Sequence, residues 1–352
     1  MKNRKKEFQL AVYPWGNCDM SCSYCHFKGD KGILSLKDFI SVLLFLKKKL
    51  PGFSKVTFLG GEPTLKEDLL IKYLQAAKKI IPYCDFFLFT NGLNSSQKIF
   101  KILNMYSVNV ILSLDGFQRI NIVQRKPSAK IKYSPQKIAE KFLNSGLKSL
   151  AFSLTVTPEN VRFLFSNISK LFYMGAGALG WNIDYSSVWS EKSLSELKKQ
   201  AEKERKFYTG LLKKKTAYRI INCYELIEEI EKGVKPSCST VSLFPDGNLY
   251  ACDKFFNGEN NAKRVSLLSR SSFWSDRKAF FTAAAKKGFP DSGLICRAGI
   301  YFYHKFVKCH IGEDLKNKTA ASLKAAETAE KEKMKSLKQF LKYDYFREIH
   351  SL

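Results

Sequence analysis

This sequence of 352 residues lacks the two features by which membrane-anchored and secreted proteins are usually recognised. It has no stretch of about 20 unbroken apolar residues, so we expect no membrane-spanning helix. The basic amino-terminal segment, MKNRKKEFQL, is not followed by the apolar region of a secretory signal. Nine cysteines without such a signal indicate a reducing compartment, where thiols bind metals or serve catalysis. We therefore expect a cytoplasmic protein.

Acidic residues are scarce: 32 Asp and Glu stand against 59 Lys and Arg, which gives a net charge of +27. A strongly basic chain attracts nucleic acids and acidic peptides. The lysines, however, are spread over almost every predicted helix and are not gathered with aromatic residues into one stripe. A solvated lysine-rich surface is therefore the favoured interpretation, with a polyanion-binding surface as the alternative.

The paired cysteine units of a structural zinc site are also missing around the most informative motif of the chain. Cys18, Cys22 and Cys25 form a C-x3-C-x2-C run, and no second pair follows at zinc spacing. A thioredoxin-like motif needs only two cysteines and would leave Cys18 without a role. An iron–sulfur cube requires a ligand on each iron, so three thiolates leave one iron open to an outside ligand. The spacing predicts metal binding of this kind.

Runs typical of strands alternate with segments that have helical spacing. Strand–helix alternation repeated six times predicts a parallel sheet with crossover helices. Six units are too few for a closed eightfold barrel. We therefore expect an α/β fold, a partial (β/α)6 barrel. Ser35 with Asp38, and Thr64 with Glu67, predict capping boxes at two helix starts. The predicted strands are FQLAVY (8–13), KVTFL (55–59), DFFLFT (85–90), VNVILSL (108–114), LKSLAFSLTV (147–156) and ALGWNID (178–184).

The pattern changes after about residue 218. A helix-like segment leads to a predicted hairpin over 240–253, in which Asp246 and Gly247 mark the turn. Cysteines and aromatic residues then recur from 292 to 310, and an Ala/Lys/Glu-rich helix follows. We therefore expect three parts, with bounds 1–217, 218–315 and 316–352.

Three short motifs follow successive predicted strands. They are Gly60-Gly61-Glu62-Pro63, Thr90-Asn91-Gly92 and Ser113-Leu114-Asp115-Gly116. Each is an ordinary loop or turn motif when it stands alone. In a parallel α/β sheet, however, the carboxyl ends of the strands carry the ligand-binding loops. Their place after successive strands, downstream of the cysteine run, predicts one shared site.

In combination these motifs resemble the radical S-adenosylmethionine (SAM) superfamily over roughly residues 8–190. The resemblance implies that Cys18, Cys22 and Cys25 hold a [4Fe–4S] cluster, whose open iron is chelated by the amino and carboxylate groups of SAM. Reductive cleavage of SAM would then yield a 5′-deoxyadenosyl radical, which abstracts a hydrogen atom from the substrate. The protein would supply orientation and exclude water.

The resemblance also assigns residues to SAM. The His-Asp pair that usually precedes the last of them is replaced here by INIVQR. The implied contacts are Tyr24 at the adenine, Gly60, Gly61 and Glu62 at the methionine ammonium, Asn91 after the third strand, Ser113 and Asp115 at the ribose, and Arg125 at the carboxylate.

The second half resembles the SPASM extension, or the shorter twitch extension, of the same superfamily. Gly247 and Cys252 match its opening G-x4-C, but the dense cysteine block of a full SPASM domain is absent. The resemblance implies one auxiliary iron–sulfur cluster, with packed free thiols or a zinc site as alternatives. The expected ligands are Cys238, Cys252, Cys296 and Cys309.

Other titratable residues have weaker assignments. Cys223 is a reserve ligand, and Cys84 is expected to be a buried thiol. Asp253 follows Cys252 where related sulfatase-maturing enzymes place a catalytic base, although a surface aspartate is the ordinary interpretation. His304 and His310 are expected to be structural or, alternatively, metal ligands.

The resemblance favours a maturase that modifies a ribosomally made precursor peptide or a protein side chain. It implies an electron donor of the flavodoxin or ferredoxin type. Because only about ten residues precede the first strand, we expect leader recognition to need a separate leader-binding protein or the basic surface itself. The alternatives are a radical SAM enzyme acting on RNA or a nucleotide, which the basic charge would suit, a non-catalytic iron–sulfur protein, and a zinc protein.

Overall fold

The computed structural model describes residues 8–25, 27, 32–128, 133–221, 224–233, 238–252, 267–286 and 312–350. The strands are β1 Phe8–Val12, β2 Met20–Cys22, β3 Phe53–Phe58, β4 Asp85–Thr90, β5 Val108–Ser113, β6 Arg125–Pro127, β7 Leu150–Val156, β8 Ala178–Ile183, β9 Arg219–Ile220, β10 Thr240–Leu243, β11 Leu249–Tyr250 and β12 Leu267–Leu268. The helices are α1 Leu36–Lys49, α2 Glu67–Ile80, α3 Gln97–Met105, α4 Arg119–Gln124, α5 Pro135–Leu143, α6 Leu164–Tyr173, α7 Glu191–Lys213, α8 Tyr224–Lys232, α9 Phe273–Ala285, α10 Gly312–Phe340 and α11 Asp344–Ile349.

One ten-stranded sheet organises the fold, in the order β12-β11-β10-β1-β3-β4-β5-β7-β8-β9. All neighbours from β10 to β9 are parallel, whereas β10, β11 and β12 pair antiparallel. The six strands β1, β3, β4, β5, β7 and β8 follow one another in chain order, with helices between them. The predicted partial (β/α)6 barrel is therefore confirmed.

The chain order of these strands places their helices on one face of the sheet. Right-handed crossovers between neighbouring parallel strands all return on the same side. Alternate strand residues on that face, such as Leu10, Val56 and Leu112, are fully buried in the main hydrophobic core with the helices. The residues between them point to the opposite face, which we call the inner face. Several of these, including Thr57 and Ser153, are only half-buried.

The two predicted capping boxes differ in outcome. Ser35 caps α1 as predicted, because its hydroxyl accepts a hydrogen bond from the backbone N–H of Asp38 at 3.0 Å. The prediction for Thr64 and Glu67 is wrong. A 3-10 turn, Pro63–Lys66, precedes α2, and the carboxylate of Glu62 accepts the hydrogen bond from the backbone N–H of Thr64. The acidic side chain of the preceding loop caps this turn instead.

The carboxyl-terminal part packs directly on the barrel. The predicted hairpin forms from β10 and β11, with Gly247 at a φ of +77° in its turn, and β10 pairs with β1. Helix α10 begins at Gly312, slightly before the predicted start at 316, and contacts α7, α8 and β8. The boundaries after residues 217 and 315 stay a prediction. Among the helices in the described ranges, none combines the length and apolar character needed to cross a bilayer.

Candidate functional site

The three amino-terminal cysteines lie in a loop at the carboxyl end of β1. Cys22 is the last residue of β2, which pairs antiparallel with β6 so that Cys22 stands opposite Arg125. A turn follows, in which the backbone N–H of Cys25 donates to the carbonyl of Cys22 at 3.2 Å. Cys22 is buried, whereas Cys18 and Cys25 are half-buried. The short β2–β6 ribbon thus holds the loop against the strand ends.

The sulfur atoms of this loop receive N–H donors. The backbone N–H of Met20 lies 3.4 Å from Cys18 Sγ, and Asn91 Nδ2 lies 3.7 Å from the same sulfur. The backbone N–H of Phe27 lies 3.3 Å from Cys25 Sγ. Donors of this kind stabilise negative charge on metal-bound thiolates. Burial raises the pKa of the Cys18 thiol to about 12. A bound metal lowers the pKa of the thiol that it binds.

The donor set of this loop is three thiols, the protein ligands that an iron–sulfur cluster uses. Within the described ranges, no three His, Cys, Asp or Glu side chains converge as one metal ion would require. A cubane cluster binds thiolates on different irons, with amide N–H donors around the sulfur atoms. The half-buried thiols of Cys18 and Cys25 and the buried thiol of Cys22 meet that requirement in chemistry and in their loop position.

The glycine motif after β3 packs tightly against the cysteine loop. A Cβ atom on Gly61 would lie 2.0 Å from the backbone oxygen of Asn17, so only glycine fits. Gly60 has a φ of +119°, which side chains rarely adopt. The backbone N–H of Gly61 donates to Trp15 at 3.1 Å, and that of Glu62 donates to Asn17 at 2.8 Å. These contacts hold the glycine motif against Asn17, the residue that precedes Cys18.

Glu62 is fully buried, and its carboxylate joins the loop after β3 to the loop after β4. Its Oε1 accepts from the N–H and hydroxyl of Thr64 at 3.0 and 2.7 Å, and from the hydroxyl of Thr90 at 2.7 Å. Its Oε2 accepts from the N–H of Asn91 at 2.7 Å. Three of these contacts fall on Oε1 and one on Oε2, so the carboxylate is held mainly through Oε1. Burial raises the pKa of this carboxyl group, and the hydrogen bonds oppose that shift. Contact with the SAM ammonium stays a prediction.

Asp19, inside the cysteine motif, connects that motif to the loop after β4. Its Oδ1 accepts from Asn91 Nδ2 at 2.6 Å, and its Oδ2 accepts from the side-chain amide of Asn94. Its carbonyl accepts from the N–H of Ser128 at 2.8 Å, beyond β6. Neither Asp19 nor Asn94 is among the site residues predicted from the sequence. The sequence offers one indication of their role: Asp19 lies within the cysteine motif, and Asn94 lies just after Thr90-Asn91-Gly92.

Tyr24, Asp115 and Arg125 form a buried network rather than three separate contacts. Arg125 Nη1 donates to the Tyr24 hydroxyl at 2.9 Å, and this hydroxyl donates to Asp115 Oδ2. Asp115 Oδ1 also accepts from the N–H of Thr155 at 2.9 Å. These partners hold the carboxylate of Asp115 in place. Its contact with the SAM ribose stays a prediction. Ser113, at the end of β5, is half-buried on the inner face.

The remaining predicted residues are only partly described. Cys238 is half-buried and Cys252 is buried, on either side of the hairpin. Cys84 is a buried thiol, as predicted, with its sulfur 3.6 Å from the carbonyl of Phe53. The other residues lie outside the described ranges, so their assignments stay predictions: Cys223, Asp253, Cys296, His304, Cys309 and His310.

Comparisons with known proteins agree with this geometry. Residues 12–165 match the sequence model of the Radical SAM superfamily. A probable GTP 3′,8-cyclase of Saccharolobus solfataricus is 24% identical over 258 residues, which cover 67% of this chain and 79% of that protein.

Two solved structures share the fold at low sequence identity. Native anSMEcpe with bound AdoMet and the Cp18Cys peptide superposes with a TM-score of 0.63 and 19% identity, over 76% of this chain and 79% of that one. SuiB of Streptococcus suis, bound to the precursor peptide SuiA, gives 0.53 and 18%, over 71% and 60%. Residues 12–165 are thus a radical SAM domain, and the protein is a radical SAM enzyme with SAM and a [4Fe–4S] cluster as cofactors.

Proposed function

We propose that the enzyme modifies a precursor peptide or a protein side chain by hydrogen abstraction. Cys18, Cys22 and Cys25 would hold the cluster, which on reduction supplies the electron that cleaves SAM. The backbone of Gly60 and Gly61 would receive the methionine end of SAM, next to the sulfur of Cys18. The loops braced by Glu62 and Asp19 keep these groups in place before SAM binds. Such preorganisation is what positions reacting atoms within a few tenths of an ångström.

The inner face of the sheet carries the argument for the substrate class. Its middle includes half-buried hydroxyl and aromatic side chains beside buried aliphatic ones such as Ile111 and Ala151. The ionisable side chains of this face on the six barrel strands are Lys55 and Asp85, a cross-strand pair at the amino ends, remote from the cysteines. A triphosphate needs several cations or a metal. The half-buried hydroxyl and aromatic side chains of the middle are Thr57, Phe87, Phe89, Ser113, Ser153 and Thr155.

A neutral face of this kind suits an uncharged peptide segment. Hydroxyl groups can bond peptide amides and carbonyls, and aromatic rings pack against apolar side chains. The fold shared with anSMEcpe and SuiB, whose solved structures contain peptides, supports the same proposal. A reductant of the flavodoxin or ferredoxin type and a separate leader-binding protein are proposed as partners.

A nucleotide substrate is the second candidate, because the S. solfataricus relative is named as a probable GTP 3′,8-cyclase. A nucleotide triphosphate needs several cations, and the six barrel strands offer only Lys55 on the inner face. This candidate therefore requires further basic side chains from other parts of the protein. Cys238, Cys252, Cys296 and Cys309 are proposed to hold an auxiliary cluster, which either substrate class would accommodate. The base role of Asp253 is likewise a proposal.

Hydrogen transfer to SAM separates the two candidates. The reconstituted protein would be incubated without oxygen with SAM, dithionite and either deuterated GTP or synthetic peptide pools, each deuterated in one residue type. We expect deuterium in 5′-deoxyadenosine from at least one peptide pool and none from GTP. Transfer from GTP, with none from any pool, would overturn the peptide proposal.

A matched variant locates the transfer. Thr57→Phe adds a large ring to the half-buried middle of the inner face, on a strand that carries none of the predicted ribose contacts. It should abolish deuterium transfer from the peptide pool while iron content and unproductive SAM cleavage persist. Val123→Phe, at an exposed position on α4, is the control and should leave transfer unchanged.

A further inference from the structure

A buried pair of opposite charges lies directly behind the cysteine loop. The side chains of Arg125 and Asp115 are 9% and 1% exposed, with Nη1 and Oδ1 3.8 Å apart. Tyr24, two residues after Cys22, lies between them and hydrogen-bonds to both. Charges so far from water are screened weakly, so they act strongly on neighbouring groups.

The β2–β6 ribbon places the positive member of this pair next to a cysteine. Arg125 stands opposite Cys22 in the antiparallel ladder, which continues as the N–H of Ser23 donates to the carbonyl of Gln124 at 2.8 Å. Directly opposed residues project to the same side, with Cβ atoms about 5 Å apart. The side chains of Arg125 and Cys22 therefore project from neighbouring positions on the same face of the ribbon.

Arg125 has polar neighbours besides Tyr24: Asp115 pairs with its guanidinium, and the Tyr133 side chain hydrogen-bonds to it. Asp115, the acidic partner, shares its carboxylate with Tyr24 and with the N–H of Thr155. Within the described residues, the buried Nε of Arg125 has no hydrogen-bond partner.

We propose that Arg125 and Asp115 set the reduction potential of the cluster held by Cys18, Cys22 and Cys25, a proposal that rests on the cluster assignment above. Reduction adds one electron from an external low-potential donor and hence one negative charge. A nearby cation stabilises that added charge and raises the potential, whereas an anion lowers it. Arg125 would have the larger effect because it stands opposite Cys22, and Tyr24 would fix the separation of the pair.

Dye-mediated redox titration of the reconstituted protein with dithionite, without SAM, tests this inference. The potential should fall in Arg125→Gln, rise in Asp115→Asn, and fall less in Arg125→Lys, which keeps the charge. The Cys18/Cys22/Cys25→Ala variant reports the signal of any other cluster, which is subtracted. If that variant gives the same signal as the wild type, so that nothing remains after subtraction, the cluster assignment fails rather than the tuning.

Opposite signs are the signature that a purely structural role would not produce. Shifts of the same sign, or none, in variants that keep full iron content would overturn the proposal. A single variant that loses iron is replaced by the double variant Arg125→Gln/Asp115→Asn, which leaves no buried charge unpaired. Its potential should lie below that of the wild type but above that of any iron-holding Arg125→Gln sample. An unchanged potential in the double variant would equally overturn the proposal.

Discussion

Asp19 and Asn91 join the cysteine loop to the loop after β4, with Asp19 Oδ1 accepting from Asn91 Nδ2 at 2.6 Å. The same amide lies 3.7 Å from Cys18 Sγ. One side-chain amide therefore contacts both the carboxylate that holds the loop and a proposed cluster ligand. The position of the sulfur thus depends on a residue from a different strand end.

Asp19→Asn should weaken this connection. The new amide can accept only one of the two hydrogen bonds from Asn91 and Asn94, so one bond to a charged group is lost. We expect the free energy of unfolding to fall by about 2 kcal/mol and iron content after reconstitution to fall with it. Urea unfolding and iron analysis measure both. Asp85→Asn, at the opposite end of the sheet, should change neither, and a normal iron content in Asp19→Asn would contradict the positioning role.

Gly61→Ala should disrupt the site through backbone displacement. Its Cβ would meet the backbone of Asn17 at 2.0 Å, so the cysteine loop must move. We expect destabilisation by about 2–3 kcal/mol and loss of SAM binding in equilibrium dialysis. Gly177→Ala is the matched control, because nothing lies within 4 Å of its added Cβ. That variant should be as stable as the wild type or slightly more so. Equal behaviour of the two variants would refute the close approach.

Glu62→Gln should destabilise the apoprotein even before any cofactor is bound. The buried carboxylate accepts four hydrogen bonds, and the amide would set an N–H₂ group against existing donors. We expect a loss of about 1.5–3 kcal/mol in urea unfolding. Glu202→Gln, in an exposed pair with Lys206, should leave the stability close to that of the wild type. A stable Glu62→Gln apoprotein would restrict this residue to cofactor binding.

His350 should make stability depend on pH. Its Nε2 accepts from the N–H of Ile220 at 3.1 Å, and Nδ1 lies 2.9 Å from the carbonyl of Phe346. Burial lowers the pKa of this imidazole, and nearby Arg219 adds to that shift. The unfolded chain therefore binds a proton first, so stability is full above about pH 6.5 and falls as the pH drops below that value.

A His350→Gln variant isolates this contribution. Its carbonyl can accept from Ile220 without titrating, so its unfolding midpoint should fall less than that of the wild type between pH 7 and 5.5. Parallel pH profiles of the two proteins, measured by thermal unfolding, would show that His350 does not titrate in this range.

Local pattern was sufficient to predict the barrel strands, because each is a continuous apolar run separated from the next by a helix. The position of Cys18, Cys22 and Cys25 after β1 followed from the same reasoning. The β2–β6 ribbon could not be predicted, since three-residue strands carry no periodicity. The pairing of β10 with β1 joins residues more than 200 positions apart, and no local signal encodes it.

Side-chain roles were harder to predict than side-chain identity. The sequence marked Glu62, Asp115 and Tyr24 as site residues, but their hydrogen-bond partners come from distant loops. Thr90 and Asn91 lie on β4 and its loop, and Thr155 lies on β7. A buried carboxylate takes whichever donors the fold brings to it, so its partners emerge only from the tertiary structure.

Iron and acid-labile sulfide per chain after anaerobic reconstitution test the central claim most directly, by comparison of the wild type with Cys18/Cys22/Cys25→Ala. We predict about eight irons in the wild type and about four in the variant, which would also fail to cleave SAM. About four irons in the wild type and none in the variant would remove the auxiliary cluster. Equal iron content in both proteins would contradict the assignment of the cluster to these three cysteines.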